Sequence, residues 1–504
     1  MPSSIPNVPV VSTAEAEAFE SNLFGGDERR IWTAMLKAGG SVAAAALEDL
    51  EEIGGFPARG RILVLAGKGN NAGDALIAAR DVLGIFPVSS CDVLFAFGSR
   101  GLKPLAARAW RSLCEGGRGR VRPTGPADLL GPYDLCLDGI FGFQYRAPLP
   151  PEASAAIAAS SIPRIRFRAA VDLPTGWKEK GAFRADFTYA TGTVKDPILG
   201  CANAGRPRYL DLGFYKGNDK AAAKGDRVVL RSILEPLAGL RPAGSDKRSQ
   251  GHLVIVGGSE NFPGAILMAT LSALRSGVGL VTACVPENLV PAYAARAPEA
   301  MWVGLPEAGS GGLSPAGFAR VMKVLERGSA LAIGPGLGRE PKSQALALRI
   351  VSASPLPLVI DADALQPGIV RAGKAPRVLT PHAGEFARIA KGAALRKLCA
   401  ELNAVIVEKG PVTRISDGGA VYHSFFGGPV LSRGGSGDIL AGLAGGLLAQ
   451  TPGEPLLAAC RAAVWHGSAA DLLARGHGQA AVHTLQLLDF LAPALRESPA
   501  CPAS

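Results

Sequence analysis

The sequence predicts an α/β protein of two domains, each built on a mostly parallel sheet with helices between its strands. Three observations predict it. The chain has 504 residues, more than one ordinary hydrophobic core sustains. Short apolar runs alternate with stretches of helical length, in two series separated by a polar break. Glycine supplies 64 residues, well above the about 7% of an average protein, as expected where many tight turns join strands to helices.

Residues 1–60 read as mainly helical, most clearly in SVAAAALEDLEE (41–52). RILVLAG (61–67), DVLFAFG (92–98), LCLDGIFG (135–142) and RAAVDLP (168–174) read as buried parallel strands of a doubly wound sheet. GDALIAARDVLG (73–84) and KPLAARAWRSLCEGG (103–117) are the helices between them. YKGNDKAAAKGD (215–226) is polar and lacks an apolar period, which places the boundary between domains 1–225 and 226–504. The second series has strands HLVIVGGS, GLVTACVP, ALAIGPG, PLVIDADAL, RVLTPHA and AVIVEKG, and apolar helices close it. The terminal ESPACPAS reads as a disordered tail.

Composition narrows the function. The net charge is +10 and the isoelectric point about 9.3, but the basic residues are scattered rather than blocked. Only 6% of residues are aromatic, few for base stacking. A phosphate-bearing small ligand therefore fits the charge better than nucleic acid. The apolar runs are too short for a membrane span, and no basic-then-apolar leader opens the chain. The eight cysteines form no CxxC pair and several sit in apolar runs, as in a reduced cytoplasmic protein.

Chemistry-bearing residues gather at strand ends, where open α/β sheets bind ligands. In the first domain GKGNNAGDA (67–75) follows a strand and opens a helix. It lacks the GK[ST] ending of a Walker loop and is no clean GxGxxG. Its Asn70 and Asn71 suit a polar ligand, a cation or simply a stabilised turn. Asp138 and Asp172 with Thr175 end two further strands. Together they form an oxygen-rich set without cysteine or histidine, suited to potassium, sodium or magnesium, although either aspartate alone also suits a structural cap.

The second domain repeats the pattern more densely. GGS, GPGLG (334–338), DADAL (361–365), LTPHAGEF (379–386), VEKGPVT (407–413) and RGGSGDILAG (433–442) follow one another along the chain. The last joins a glycine turn to an apolar helix, whose free N–H groups attract anions. Asp438 lies at that helix start. Singly, His382 also reads as a capping histidine, Asp361 and Asp363 as turn caps, and Lys409 as a solvated lysine.

These motifs, in this order over roughly residues 25–495, resemble the bifunctional NAD(P)H-hydrate repair enzymes. In that family an epimerase domain is fused to an ADP-dependent dehydratase. The resemblance implies a Rossmann-like N-terminal sheet and a ribokinase-like C-terminal α/β domain. In the first, it assigns Asn70, Asn71, Ala72, Gly73, Asp74, Gly142, Phe143, Gln144, Tyr145, Arg146, Ala147, Pro148 and Asp172 to the hydrated substrate. It assigns Asn71, Asp138 and Thr175 to a potassium ion. In the second, Ala265, Gly336, His382 and Asp438 match substrate positions, and Lys409, Gly410, Pro411, Val412, Thr413 and Gly437 match nucleotide positions. Asp438 takes the role of catalytic base. NADHX, NADPHX and ADP with magnesium are the implied ligands, and a homo-oligomer, with a tetramer among the candidates, is the implied assembly.

The chain departs from the family pattern in places. Leu36 stands where glutamate is common, Ala72 and Ala75 replace glycines, and Phe143 and Gln144 replace a TG pair. DKRSQG (246–251) stands for the usual HKGxxG. The alternatives are a kinase for a vitamin-precursor alcohol, or a dehydratase whose N-terminal domain binds without catalysing.

Overall fold

The structure, a computed structural model, describes residues 4–129, 131–161, 164–215, 225–309 and 311–496. Most of the polar break (216–224) and the tail from 497 onward lie outside the described residues. The chain divides into two compact units. The first spans Val8–Ala221 with Ala474–Gln479, and the second Ala222–Leu473 with Ala480–Glu497 and the first seven residues.

The first unit holds a seven-stranded parallel sheet. Its order is Val121–Thr124, Ser90–Phe95, Arg61–Ala66, Leu135–Gly139, Arg168–Val171, Phe187–Thr191 and Arg206–Leu210. Alternation along Arg61–Ala66 feeds two cores. Ile62, Val64 and Ala66 pack under the helices Glu28–Leu50, Asn70–Ile85 and Pro104–Gly117. Leu63 and Leu65 pack against Ala153, Ala156 and Ile157 of the helix Pro151–Ser160. Helices therefore cover both faces, as the doubly wound reading requires. Each fully buried Leu or Ile in these layers contributes about 1.5–3 kcal/mol. Glu28–Leu50 starts where the Asp27 carboxylate accepts from the N–H groups of Arg29 and Arg30 at 2.8 and 3.3 Å.

In the second unit Met301–Leu305, Leu280–Pro286, His252–Val256, Ala330–Ile333, Leu358–Ile360, Arg377–Leu379 and Ala404–Glu408 run parallel in that order. Thr413–Ser416 and Val421–Ser424 then extend the sheet antiparallel, and Asp226–Val229 pairs parallel with the latter. The helix Ser436–Gln450 crosses beneath the sheet centre and against the helix Pro263–Arg275. Its glycines make that crossing possible. A Cβ at Gly442 would lie 2.0 Å from Ser272 Oγ and 2.1 Å from the Ala269 carbonyl oxygen, and one at Gly446 would lie 2.0 Å from Ser276 Oγ. The sequence AGLAGGLLAQ is thus a close-packing surface as well as an apolar helix.

Every strand expected from an apolar run is present. The edge strands and the hairpin were not legible in that way. Arg206–Leu210 carries two arginines, whose guanidinium carbons lie 4.6 and 5.3 Å from the ring centre of Phe187. A strand that buries charge through ring stacking and ion pairs shows no apolar period.

Candidate active sites

In the first unit, the loop after Arg61–Ala66 enters the helix Asn70–Ile85 through Gly69, with no side chain capping the helix. The N–H groups of its first turn therefore stay available to an anion. Asn71 lies inside the fold, and its Nδ2 is buried without a hydrogen-bond partner. Its Oδ1 would approach a Cβ at Gly142 to 3.1 Å, and an Asp172 oxygen would approach the same point to 2.6 Å. The Asn70–Asp74 turn, Gly142 and Asp172 thus meet at one place on the strand-end edge.

Asp138 is fully buried. Its Oδ1 accepts from the Ile140 N–H at 3.2 Å and the Thr175 hydroxyl at 2.7 Å, and its Oδ2 accepts from the Thr175 N–H at 2.7 Å. Burial lifts its carboxyl to about 6, while the Thr175 bonds pull it down. The Thr175 hydroxyl accepts in turn from the Phe141 N–H at 3.0 Å. The Asp138 carboxylate, the Thr175 hydroxyl and the Asn71 side-chain carbonyl oxygen are the types of oxygen donor that suit a hard monovalent cation.

Asp172 is held in the left-handed region at φ +67°, a conformation that costs a non-glycine residue about 1 kcal/mol or more. Both of its oxygens are tied down. One pairs with the Lys195 ammonium, and the other accepts from the Phe143 N–H at 2.8 Å. Lys195 is only 1% exposed and stands 4.7 Å from the Phe143 ring centre, a cation–π distance. Sequence reasoning assigned Lys195 no role, because a lysine ending a short strand ordinarily faces water.

The neighbouring residues fall into three groups. Ala72 and Ala75 are fully buried in the core under the sheet, and a Cβ at Gly139 would lie 2.6 Å from that of Ala75. Leu36 packs on the same core. These three departures add apolar packing on the helix side. Gln144 and Arg146 are exposed, and Arg146 reaches Glu17 at 3.4 Å. Tyr145 donates its hydroxyl to Glu179, which also accepts from the Leu149 N–H at 2.8 Å and so braces the 142–149 loop, with Ala147 and Pro148 inside it.

In the second unit the glycine turn 433–437 leads into Ser436–Gln450 with Gly435 at φ +92° as the cap. Asp438 lies in the first turn. It sits in a recess: partly solvent-accessible, yet closely surrounded by protein. Burial first, then the charge of Asp361, raises its carboxyl to about 7, and Lys409 opposes the rise. Asp363 and Glu385 add smaller pushes upward.

Lys409 ties three motifs together. Its ammonium lies 3.3 Å from Asp361 Oδ1 and would lie 3.1 Å from a Cβ at Gly437. Asp361 also accepts from the Thr380 hydroxyl at 2.7 Å. Gly410, Pro411 and Val412 form the hairpin loop that leads to Thr413. Asp363 accepts from the Gly338 N–H at 3.2 Å and from Arg339 Nε at 3.1 Å, fastening DADAL to the GPGLG turn. Ala265 and Gly336 are neighbours, since a Cβ at Gly336 would lie 3.2 Å from that of Ala265. One turn beyond Ala265, Met268 lies against Gly435.

His382 caps the helix Ala383–Ala390. Its Nδ1 accepts from the N–H groups of Gly384 and Glu385 at 3.0 and 3.3 Å, which assigns the proton to Nε2. Glu385 returns the bond to the His382 N–H at 2.9 Å. The capping alternative therefore holds for Nδ1, while the exposed ring leaves Nε2 facing outward near Glu385 Oε1 at 3.4 Å. The Lys409 N–H donates to the Pro381 carbonyl at 2.9 Å, so the His382 and Lys409 motifs lie side by side.

The comparisons with known proteins agree across both halves. The NAD(P)H-hydrate dehydratase family matches residues 253–493, and the YjeF-related protein N-terminus family matches residues 33–196. The chain is 36% identical to the bifunctional NAD(P)H-hydrate repair enzyme Nnr of Gloeobacter violaceus, over 96% of this chain and 98% of that protein. It is 32% identical to the protein of the same name from Moorella thermoacetica, over 88% of each. Among solved structures it is similar to the ADP/ATP-dependent NAD(P)H-hydrate dehydratase from Bacillus subtilis, co-crystallised with ATP and magnesium. That similarity is 29% identity over 53% of this chain and 96% of that one, with a TM-score of 0.46. The chain belongs to the family of bifunctional NAD(P)H-hydrate repair enzymes.

Proposed function

We propose that the two sites act in turn on hydrated NADH and NADPH. The N-terminal site interconverts the R and S hydrates. The C-terminal site dehydrates the S form to NAD(P)H using ADP, with release of AMP and phosphate. The observation that carries the second half is the placement of Asp438, a recessed carboxylate raised to about 7 at a glycine-led helix start beside Lys409.

Hydroxide is a poor leaving group, and phosphorylation makes the added hydroxyl a good one. The free N–H groups of the glycine turn suit the transferred phosphoryl. Asp438 accepts the hydroxyl proton as the oxygen–phosphorus bond forms and the phosphoanhydride bond breaks. Phosphate then leaves with its oxygen, a proton leaves the adjacent ring carbon, and the ring double bond returns. Lys409, with Gly410 to Thr413 and Gly437, holds the nucleotide. Ala265, Gly336 and His382 line the hydrate. Magnesium bound with the nucleotide supplies charge neutralisation along its phosphates.

In the first unit, Asn71, Asp138 and Thr175 form the oxygen-donor set for potassium. A cation held there would offset the burial that lifts the Asp138 carboxyl to about 6. The Asn70–Asp74 turn, the Gly142–Pro148 loop and Asp172 embrace the hydrated nucleotide.

Supplying pure R-NADPHX with ADP tests both halves together. Full recovery of NADPH absorbance faster than spontaneous R-to-S exchange supports the reading. Recovery limited to the spontaneous rate reduces the N-terminal domain to a binding module.

A further inference from the structure

Glu20 lies on the helix Thr13–Phe24, and none of the expected site motifs contains it. Its Oε1 is 4.0 Å from the Lys195 ammonium, and its side chain is 28% exposed. Lys195 is simultaneously paired with Asp172 and stacked over Phe143, both expected to line the hydrate. Glu20, partly exposed, thus approaches the same buried ammonium that Asp172 pairs with. We propose that Glu20 is the proton-shuttling catalytic residue of the epimerase site, and that Lys195 is the positioning residue that holds Glu20 and Asp172 in register. This rests on the epimerase reading above.

The chemistry of the substrate calls for such a group. In a dihydronicotinamide the C5–C6 double bond is an enamine of N1, so added water leaves its proton on C5 and its hydroxyl on C6. C6 then bears both oxygen and nitrogen. Its configuration inverts by opening and reclosing the ring. The Glu20 carboxylate takes the hydroxyl proton, C6 becomes an aldehyde carbon as its bond to N1 breaks, and the proton passes from Glu20 to N1. Rotation about C5–C6 presents the other aldehyde face. N1 then re-attacks while Glu20 returns the proton to oxygen. No atom is gained or lost, and no co-reactant is needed.

The charges around Glu20 suit the role. Asp74, Asp172 and Glu17 are the carboxylates facing it, and Lys195 is the cation. One ammonium cannot hold three recessed carboxylates ionised. Asp172 has the direct ion pair. Asp74, partly buried, is pushed well above the carboxylate range by desolvation first and then by Glu20 and Asp172. Glu20 is raised to about 7, by burial first, with Lys195 opposing. A group poised there exchanges protons in both directions at neutral pH.

The test uses the full-length protein with R-NADHX and no nucleotide, following R-to-S conversion by chromatography. If the wild type fails to exceed spontaneous exchange, the epimerase reading itself fails. If the wild type is active, Glu20→Gln is expected to lower kcat about 100-fold with little change in KM. It also removes the rise of rate with pH through about 7, and Glu20→Asp restores part of both. Lys195→Met is expected to move that rise to higher pH, which loss of packing alone would not do. A Glu20→Gln protein with wild-type rate and pH profile overturns the proposal, and that arm stands alone if Lys195→Met does not fold.

Discussion

The Lys409 ammonium lies 3.3 Å from Asp361 Oδ1 and would lie only 3.1 Å from a Cβ at Gly437. One side chain from the end of a parallel strand therefore joins the DADAL carboxylate to the glycine turn that carries Asp438. The negative charge of Asp438 at this glycine turn is opposed by the Lys409 cation. In the proposed reaction the turn N–H groups and Lys409 serve the nucleotide's phosphates, and the carboxylate serves the hydroxyl.

Asp438→Asn removes the proposed base while keeping nearly the same shape. Dehydration is expected to fall by about 10²–10⁴-fold, with nucleotide binding retained. Single-turnover kinetics with S-NADPHX, alongside nucleotide titration, check the split. Near-normal turnover removes Asp438 from the role of base.

The same residue sets a pH dependence. A base must be ionised, so dehydration is expected to rise with pH through about 7 and then level off. Lys409 pulls the Asp438 carboxyl downward, so Lys409→Met is expected to move the rise to higher pH. Rate profiles between pH 5 and 9, about 2 units on either side, check both directions.

Asp438 is also expected to cost stability. Its folded pKa lies above its unfolded value, so the native state binds more protons between about 4 and 7 and loses stability as pH rises through that window. Asp438→Asn removes that loss. Its Tm is expected to exceed that of the wild type at pH 8, with the gap narrowing toward pH 4. Calorimetry at the two pH values checks the sign.

The helix crossing predicts an asymmetry between two glycines. Gly442→Ala meets the Ala269 backbone oxygen at 2.1 Å as well as Ser272 Oγ at 2.0 Å, whereas Gly446→Ala meets Ser276, Oγ at 2.0 Å and Cβ at 2.7 Å, with the nearest backbone oxygen at 3.4 Å. Overpacking at the first site is expected to cost about 1–3 kcal/mol, and less at the second. Denaturant unfolding measures the difference.

The buried pair Lys195–Asp172 gives a further thermodynamic test. Lys195→Met leaves an unpaired buried carboxylate and is expected to cost about 3–5 kcal/mol. Adding Asp172→Asn is expected to recover part of that loss. A double-mutant cycle with strictly additive costs contradicts the pairing.

The central strands were legible because buried parallel strands are nearly continuous apolar runs, and their ends carry the glycine and carboxylate motifs. His252–Val256 and Ala404–Glu408 show this plainly. Arg206–Leu210 was hidden because its arginines stack on Phe187, and the Thr413–Ser416 hairpin strand because three of its four residues are polar, so neither shows an apolar run. Asp438 and Lys409 were readable from local motifs. Lys195 and Glu20 were not, since each looks like an ordinary surface residue until tertiary packing brings them to 4.0 Å. Asp361 read equally well as a turn cap, and only its contacts with Lys409 and Thr380 place it at the site.

Incubation of the full-length protein with S-NADHX and either ADP or ATP tests the central claim most directly, with NADH absorbance and nucleotide products followed together. The predicted result is return of NADH absorbance with ADP, matched mole for mole by AMP and phosphate. Accumulation of a stable phosphorylated product without NADH, or no nucleotide-dependent recovery with either donor, contradicts it.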